Sequence, residues 1–204
     1  MLDELDSVDW SAVSHAYGAA LDVPGQLRAL LSTDEAERDS ARLALFSNIW
    51  NRGMVYPATI QALPFLIDLL EHDATPDRRG LVGLVAFIMS GEEHCEVHEA
   101  TQRLDPISGV PIIPACDIDR RLSDTSPVVA AIRRIGARAV PTLLRYLKHS
   151  DSDARVVAAI GLSSQYSSAD VIAPALRAAI AAETCVATRK YLAMELAKLE
   201  EGRA

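Results

Sequence analysis

The sequence predicts an all-α chain built as an α-solenoid of about five helix pairs. Three observations carry that reading. One pattern is written four times: a proline opens an apolar stretch and an arginine follows fourteen or fifteen residues later, at Pro24 and Arg38, Pro64 and Arg78, Pro141 and Arg155, Pro174 and Arg189. Six places after each proline stands an apolar residue, Leu30, Leu70, Leu147 or Ile180. Self-similarity at a period of about 35–45 residues marks architectures in which each unit buries its face against the next. The second observation is composition: 50% of the 204 residues are apolar but only 5% aromatic. Ala and Leu form helices well, and small Ala side chains let helices approach closely. The third is agreement between local start signals and the global period, which strengthens both.

Taken in order, residues 1–21 predict a short N-terminal capping helix with Trp10, Val13 and Tyr17 on one side, since the ends of a repeat array expose apolar surface. Residues 22–90 hold two units. Asp34 and Glu37 give the first unit's second helix a capping-box start. In the second unit the helices are expected over Pro57–Glu71 and Pro76–Ser90, with Thr75 as cap and Pro76 at the first helical position. Residues 91–136 predict a degenerate unit, because Pro64 and Pro141 stand about two periods apart. Its helices are placed at Glu92–Leu104 and Pro127–Ile135, the latter opened by Ser126-Pro127. The prolines at 106, 111 and 114 exclude a regular helix over the loop 105–118, which is read as a packed flap. Residues 137–204 hold the last two units.

The A-helix proline, the Asp in the turn and the Asp-x-Arg-x-x-Ala-Ala-x-x-Leu pattern of Asp153–Leu162 resemble HEAT repeats over about residues 22–90 and 126–200. The opening Val8-Asp9-Trp10 to Pro24, and Asn48-Ile49-Trp50 through Tyr56 to Leu66, are similar to a bacterial group of HEAT-repeat proteins without an assigned activity. This resemblance implies a right-handed, gently curved array whose second helices line the concave side. It specifies a fold and says little about function.

Formal charge is −8 with a sequence pI near 5.1, which argues against a general binder of nucleic acid or anionic membrane. Residues 126–160 nonetheless concentrate Arg133, Arg134, Arg138, Arg145, Lys148 and Arg155 against Asp151 and Asp153. If that stretch lies in the groove, an acidic protein partner is expected. Cys95, Cys116 and Cys185 form no CxxC, and the acidic N-terminus lacks the regions of a signal peptide. The longest apolar run, Leu81–Met89, is far below the ~20 residues of a membrane span. A cytoplasmic protein is the expectation.

The leading function is a protein-interaction scaffold or adaptor, such as a bacterial regulator or immunity-type inhibitor that works by covering one protein. No catalytic residues and no cofactor are predicted. The partner-binding candidates are Asn48, Trp50, Arg52 and Tyr56, of which Trp50, Arg52 and Tyr56 place hot-spot residue types within seven positions, together with Arg133, Arg134 and Arg138. Arg38, Arg78, Arg155 and Arg189 are read as staples between repeats, pairing with acids such as Asp34, Asp77, Asp151 and Asp153. The alternative is a HEAT-like enzyme. His94 and His98 stand one helical turn apart with Cys116 beyond, but no second spaced pair completes a metal site. An enzyme resembling deoxyhypusine hydroxylase would carry several His-Glu pairs, where only His98-Glu99 is present. One resembling a HEAT-like DNA glycosylase would need a basic, aromatic channel, whereas Trp10 and Trp50 stand in the acidic half. The motifs GxGxxG, GxxxxGK[ST], GxSxG and HExxH do not occur.

Overall fold

A computed structural model describes residues 2–93, 103–104, 111–112 and 126–202. The chain is mostly helical, as expected. A 3-10 turn, Leu5–Ser7, leads to a hairpin of β1 (Ser14–His15) and β2 (Gly18–Ala19). Helices α1 (Val23–Ala29) and α2 (Glu35–Asn48) follow. A second hairpin, β3 (Trp50–Asn51) and β4 (Met54–Val55), leads into α3 (Pro57–Glu71) and α4 (Arg78–Met89). Strand β5 (Glu92–Glu93) runs parallel to β4, and β6 (Arg103–Leu104) pairs antiparallel with β7 (Pro111–Ile112). Then come α5 (Pro127–Gly136), α6 (Val140–Tyr146), α7 (Ser152–Ser163), α8 (Ala169–Ala182) and α9 (Val186–Glu201).

The expected capping helix over residues 2–21 is a 3-10 turn and a hairpin instead. Backbone N–H groups there find partners outside a helical ladder. Asp9 Oδ1 accepts from the Ser11 amide at 3.1 Å, His15 Nδ1 accepts from the Tyr17 amide at 3.0 Å, and the Ala16 amide donates to the Asn48 carbonyl. Gly18, at φ +121°, closes the two-residue turn in a conformation other residues resist. The capping role survives in part: Leu5 and Trp10 are buried in the core, and the Trp10 indole donates to the Leu5 carbonyl at 2.9 Å. Tyr17, grouped with Trp10 on sequence, is 70% exposed.

Helix starts are largely those the sequence marks. Asp34, Ser126 and Asp151 cap α2, α5 and α7 by accepting from the amides of Ala36, Val129 and Asp153. At α4 the cap is Asp77, which accepts from the Gly80 amide at 3.0 Å, and the helix begins two residues later than Pro76. Glu37 does not close a capping box, because its carboxylate takes the Ser32 hydroxyl.

Packing rearranges the expected units. α1 pairs with α2, α3 with α4, α6 with α7, and α8 with α9. The second helices also touch in series: α2 meets α4, α4 meets α7, and α7 meets α9. Thus α4 packs directly on α7, where the sequence reading places a degenerate pair between them. Helix α5, expected as that pair's second helix, packs on α3 and continues through the 3-10 turn Ala137–Ala139 into α6. Both ends of the helix expected over Glu92–Leu104 are strands. Apart from Pro111–Ile112, the loop 105–118 lies outside the described residues. One buried apolar cluster runs from Leu5 to Leu199. The repeated apolar positions Leu30, Leu70 and Leu147 belong to it, with Ile180 packed partly buried against it.

Candidate functional site

The three second helices α2, α4 and α7 leave a groove of about 390 Å³ on the row they form. Its floor is Phe46, Gly83, Phe87 and Val157, and its rim carries Arg42, Asp77, Arg79 and Asp153. Phe46 and Phe87 face each other at 6.0 Å between ring centroids, and Trp50 from β3 closes the cluster at 5.8 Å from Phe46 and 5.3 Å from Phe87. The near edge-on angles of Phe46 suit the ring quadrupoles. All three rings are half-buried. The Trp50 indole Nε1 is enclosed without a hydrogen-bond partner among the described residues, a cost that ring packing must offset. At Gly83 a methyl group would meet nothing nearer than Phe46 Cζ at 4.0 Å, so the floor is open there.

Charges on the rim are mixed. Arg42 pairs with Asp39 at 2.8 Å and stands 4.0 Å from Asp77, while Arg79 pairs with Asp151. The Asp153 amide and, secondarily, the Arg79 guanidinium hold the Asp151 carboxyl below the usual aspartate range. Aspartates at 39, 77, 151 and 153 outnumber the two arginines.

The sequence-predicted surface residues divide. Asn48 is buried, with its amide donating to Asp22 at 2.7 Å, and so belongs to a polar cluster with His15 and Gln26. Tyr56 is buried at the start of α3. Arg52 is exposed, at φ +54° beside Gly53 at φ +93°, in the turn between β3 and β4. Of that set Trp50 alone packs against groove-lining side chains. Arg133, Arg134 and Arg138 are not in the groove. They lie on α5 and the turn after it, where Arg138 pairs with Asp68 of α3 at 2.6 Å and Arg133 lies over the Tyr166 ring at 4.9 Å.

The repeated arginines bind within their own units more than between them. Arg38 donates to the carbonyls of Ser32 and Thr33, Arg155 to those of His149 and Ser150, and Arg189 to that of Glu183. Each satisfies carbonyls in the turn between paired helices. Of the aspartates expected as their partners, Asp34, Asp77 and Asp151 cap the following helix instead, and Asp153 lies in the first turn of α7. Arg78 differs, pairing with the exposed Asp73 at 2.9 Å. Arg155 alone also reaches the next unit, holding Glu183 through Nε at 2.8 Å and Nη2 at 2.5 Å.

His94, His98 and Cys116 lie outside the described residues, and among the described residues no cluster of His, Cys, Asp or Glu has metal-binding geometry. No described helix is long and apolar enough to cross a membrane. Sequence reasoning missed Arg42, Phe46, Arg79 and Phe87. One signal was available: of three phenylalanines, Phe46 and Phe87 fall on second helices, and Phe46 stands four residues before Trp50. Compared with protein families, curated proteins and solved structures, the chain matches none.

Proposed function

We propose that the chain is a short HEAT-like α-solenoid that holds a segment of a partner protein in the groove between α2, α4 and α7. The observation that carries this reading is the half-buried aromatic cluster Phe46, Trp50 and Phe87 on the second-helix row, rimmed by arginines and aspartates. Aromatic and arginine side chains gathered in one concavity are the composition of binding hot spots. A preformed groove on packed helices also lowers the ordering cost of association. The mixed rim suits a partner segment with an apolar side chain over the phenylalanines and a cationic group toward Asp77 and Asp153. A regulator or immunity-type inhibitor that acts by covering its target fits within this reading.

The test is Gly83→Leu, which fills the floor without a backbone clash and replaces glycine by a better helix former. Wild-type protein immobilised as bait is expected to retain a stoichiometric partner that Gly83→Leu and Arg79→Glu both lose, while circular dichroism melts stay unchanged. Equal retention by folded Gly83→Leu overturns the placement of the site.

A further inference from the structure

A second concavity, of about 740 Å³, opens on the other helix row between α6 and α8. It is larger than the second-helix groove and different in chemistry. Leu144 and Leu147 form one wall, and Ala175, Ala178, Ala179 and Ala182 form the other. The alanines recur at helical spacing along two turns of α8, a strip about 10 Å long. The connecting turns after α6 and α8 close one end.

That end is where charge accumulates. Arg155 and Glu183 sit there with side chains 17% and 2% exposed, and they neutralise one another. Arg155 spends Nη1 on the carbonyls of His149 and Ser150, and Nε and Nη2 on Glu183. Asp151, the other acid near the turn, is engaged by Arg79. Lys148 lines the trough and makes no ion pair with a described residue. Beside it, His149 stacks on Tyr146 and accepts the Asp151 amide on Nδ1 at 3.1 Å. With Nδ1 accepting, the neutral ring carries its proton on Nε2 and presents a donor. Arg145, exposed on the same helix, donates to the Thr142 hydroxyl and adds positive potential. Of the basic stretch singled out in the sequence, Lys148 and Arg155 line the closed end of this aliphatic trough.

We propose that this trough binds a small amphiphile, an aliphatic chain ending in one carboxylate. The chain lies on the Leu144, Leu147 and alanine walls, and the carboxylate meets Lys148 and the His149 Nε2–H. An extended peptide suits the walls poorly. Its N–H and C=O groups would lie along aliphatic side chains that offer no partner, each losing its hydration uncompensated. An alkyl chain carries no such groups. A cationic headgroup would meet the charge of Lys148, whereas a carboxylate is drawn to it. The volume falls within the usual range for small-ligand sites.

The experiment is calorimetric titration of the full chain with sodium decanoate below its micelle concentration, repeated with decyltrimethylammonium. One saturable decanoate site is expected, at least tenfold weaker for the cationic amphiphile and at least tenfold weaker in Lys148→Glu. Ala179→Phe, which fills the trough, is expected to abolish binding while the thermal melt stays wild-type. Should that variant unfold, Ala182→Leu, at an exposed position where the strip meets the closed end, serves instead, with amide shifts of residues 144–149 and 175–184 mapping the site. Absence of saturable binding, equal affinity for both headgroups, or undiminished binding in a folded trough-filling variant overturns the proposal. Shifts confined to other residues do the same.

Discussion

Gly161 of α7 lies so close to Ala86 of α4 that a methyl group on Gly161 would stand 2.9 Å from both Cα and Cβ of Ala86. It would also stand 3.0 Å from Leu143 Cδ1. This contact joins the second helices of two units across the stretch 91–125, and it exists because neither helix carries a large side chain there. Gly161→Ala is expected to destabilise the protein by about 1–3 kcal/mol through overpacking, despite the better helix propensity of alanine. Urea unfolding checks this: a lowered midpoint with an unchanged slope is the expected result, and an unchanged midpoint excludes so tight a contact.

The Arg155–Glu183 pair predicts a pH dependence. The Glu183 carboxylate accepts from the Cys185 amide and from Arg155, and both hold its pKa below the usual glutamate range, the amide contributing most. A carboxyl with a depressed folded-state pKa stabilises the fold above its unfolded pKa, about 4.3, and loses that contribution as pH falls through the lower folded value. Melting temperature is therefore expected to fall more steeply from pH 5 to pH 3 in the wild type than in Glu183→Gln. Calorimetric melts across that range decide it, and parallel curves remove the pair from the acid response.

The repeated arginines are not equivalent. Arg38→Ala removes hydrogen bonds to two carbonyls from a charged donor and is expected to cost about 1.5–3 kcal/mol. Arg78→Ala removes an exposed ion pair and is expected to cost no more than about 1 kcal/mol. Chemical denaturation of the two variants side by side gives the comparison. A larger loss for Arg78→Ala contradicts it.

Ser126 caps α5 from a buried position, its hydroxyl accepting from the Val129 amide at 3.1 Å. Ser126→Ala is expected to cost about 0.5–2 kcal/mol, and Ser126→Asp to restore most of it. Thermal melts of both variants test the cap, and equal melts for alanine and aspartate deny it.

Much of the helical architecture was legible along the chain. Proline positions, the caps Asp34 and Ser126, and the apolar marks at Leu30, Leu70 and Leu147 are local or periodic signals, readable without knowing what packs where. The candidate site was legible only at Trp50. Its floor unites Phe46, Phe87 and Val157 from three helices, and no spacing rule relates side chains that meet only after helices stack. The same reason underlies the misplaced unit: α5 and α4 find their partners through long-range packing, so periodicity could count residues between prolines but not say which helix α4 would touch. The sequence by itself determined the mostly helical character, most helix starts and the first helical turn on which each repeated arginine sits. Tertiary structure decided that Arg155 also reaches Glu183, where the basic stretch lies, and that Gly161 meets Ala86, because each depends on distances between segments far apart in the chain.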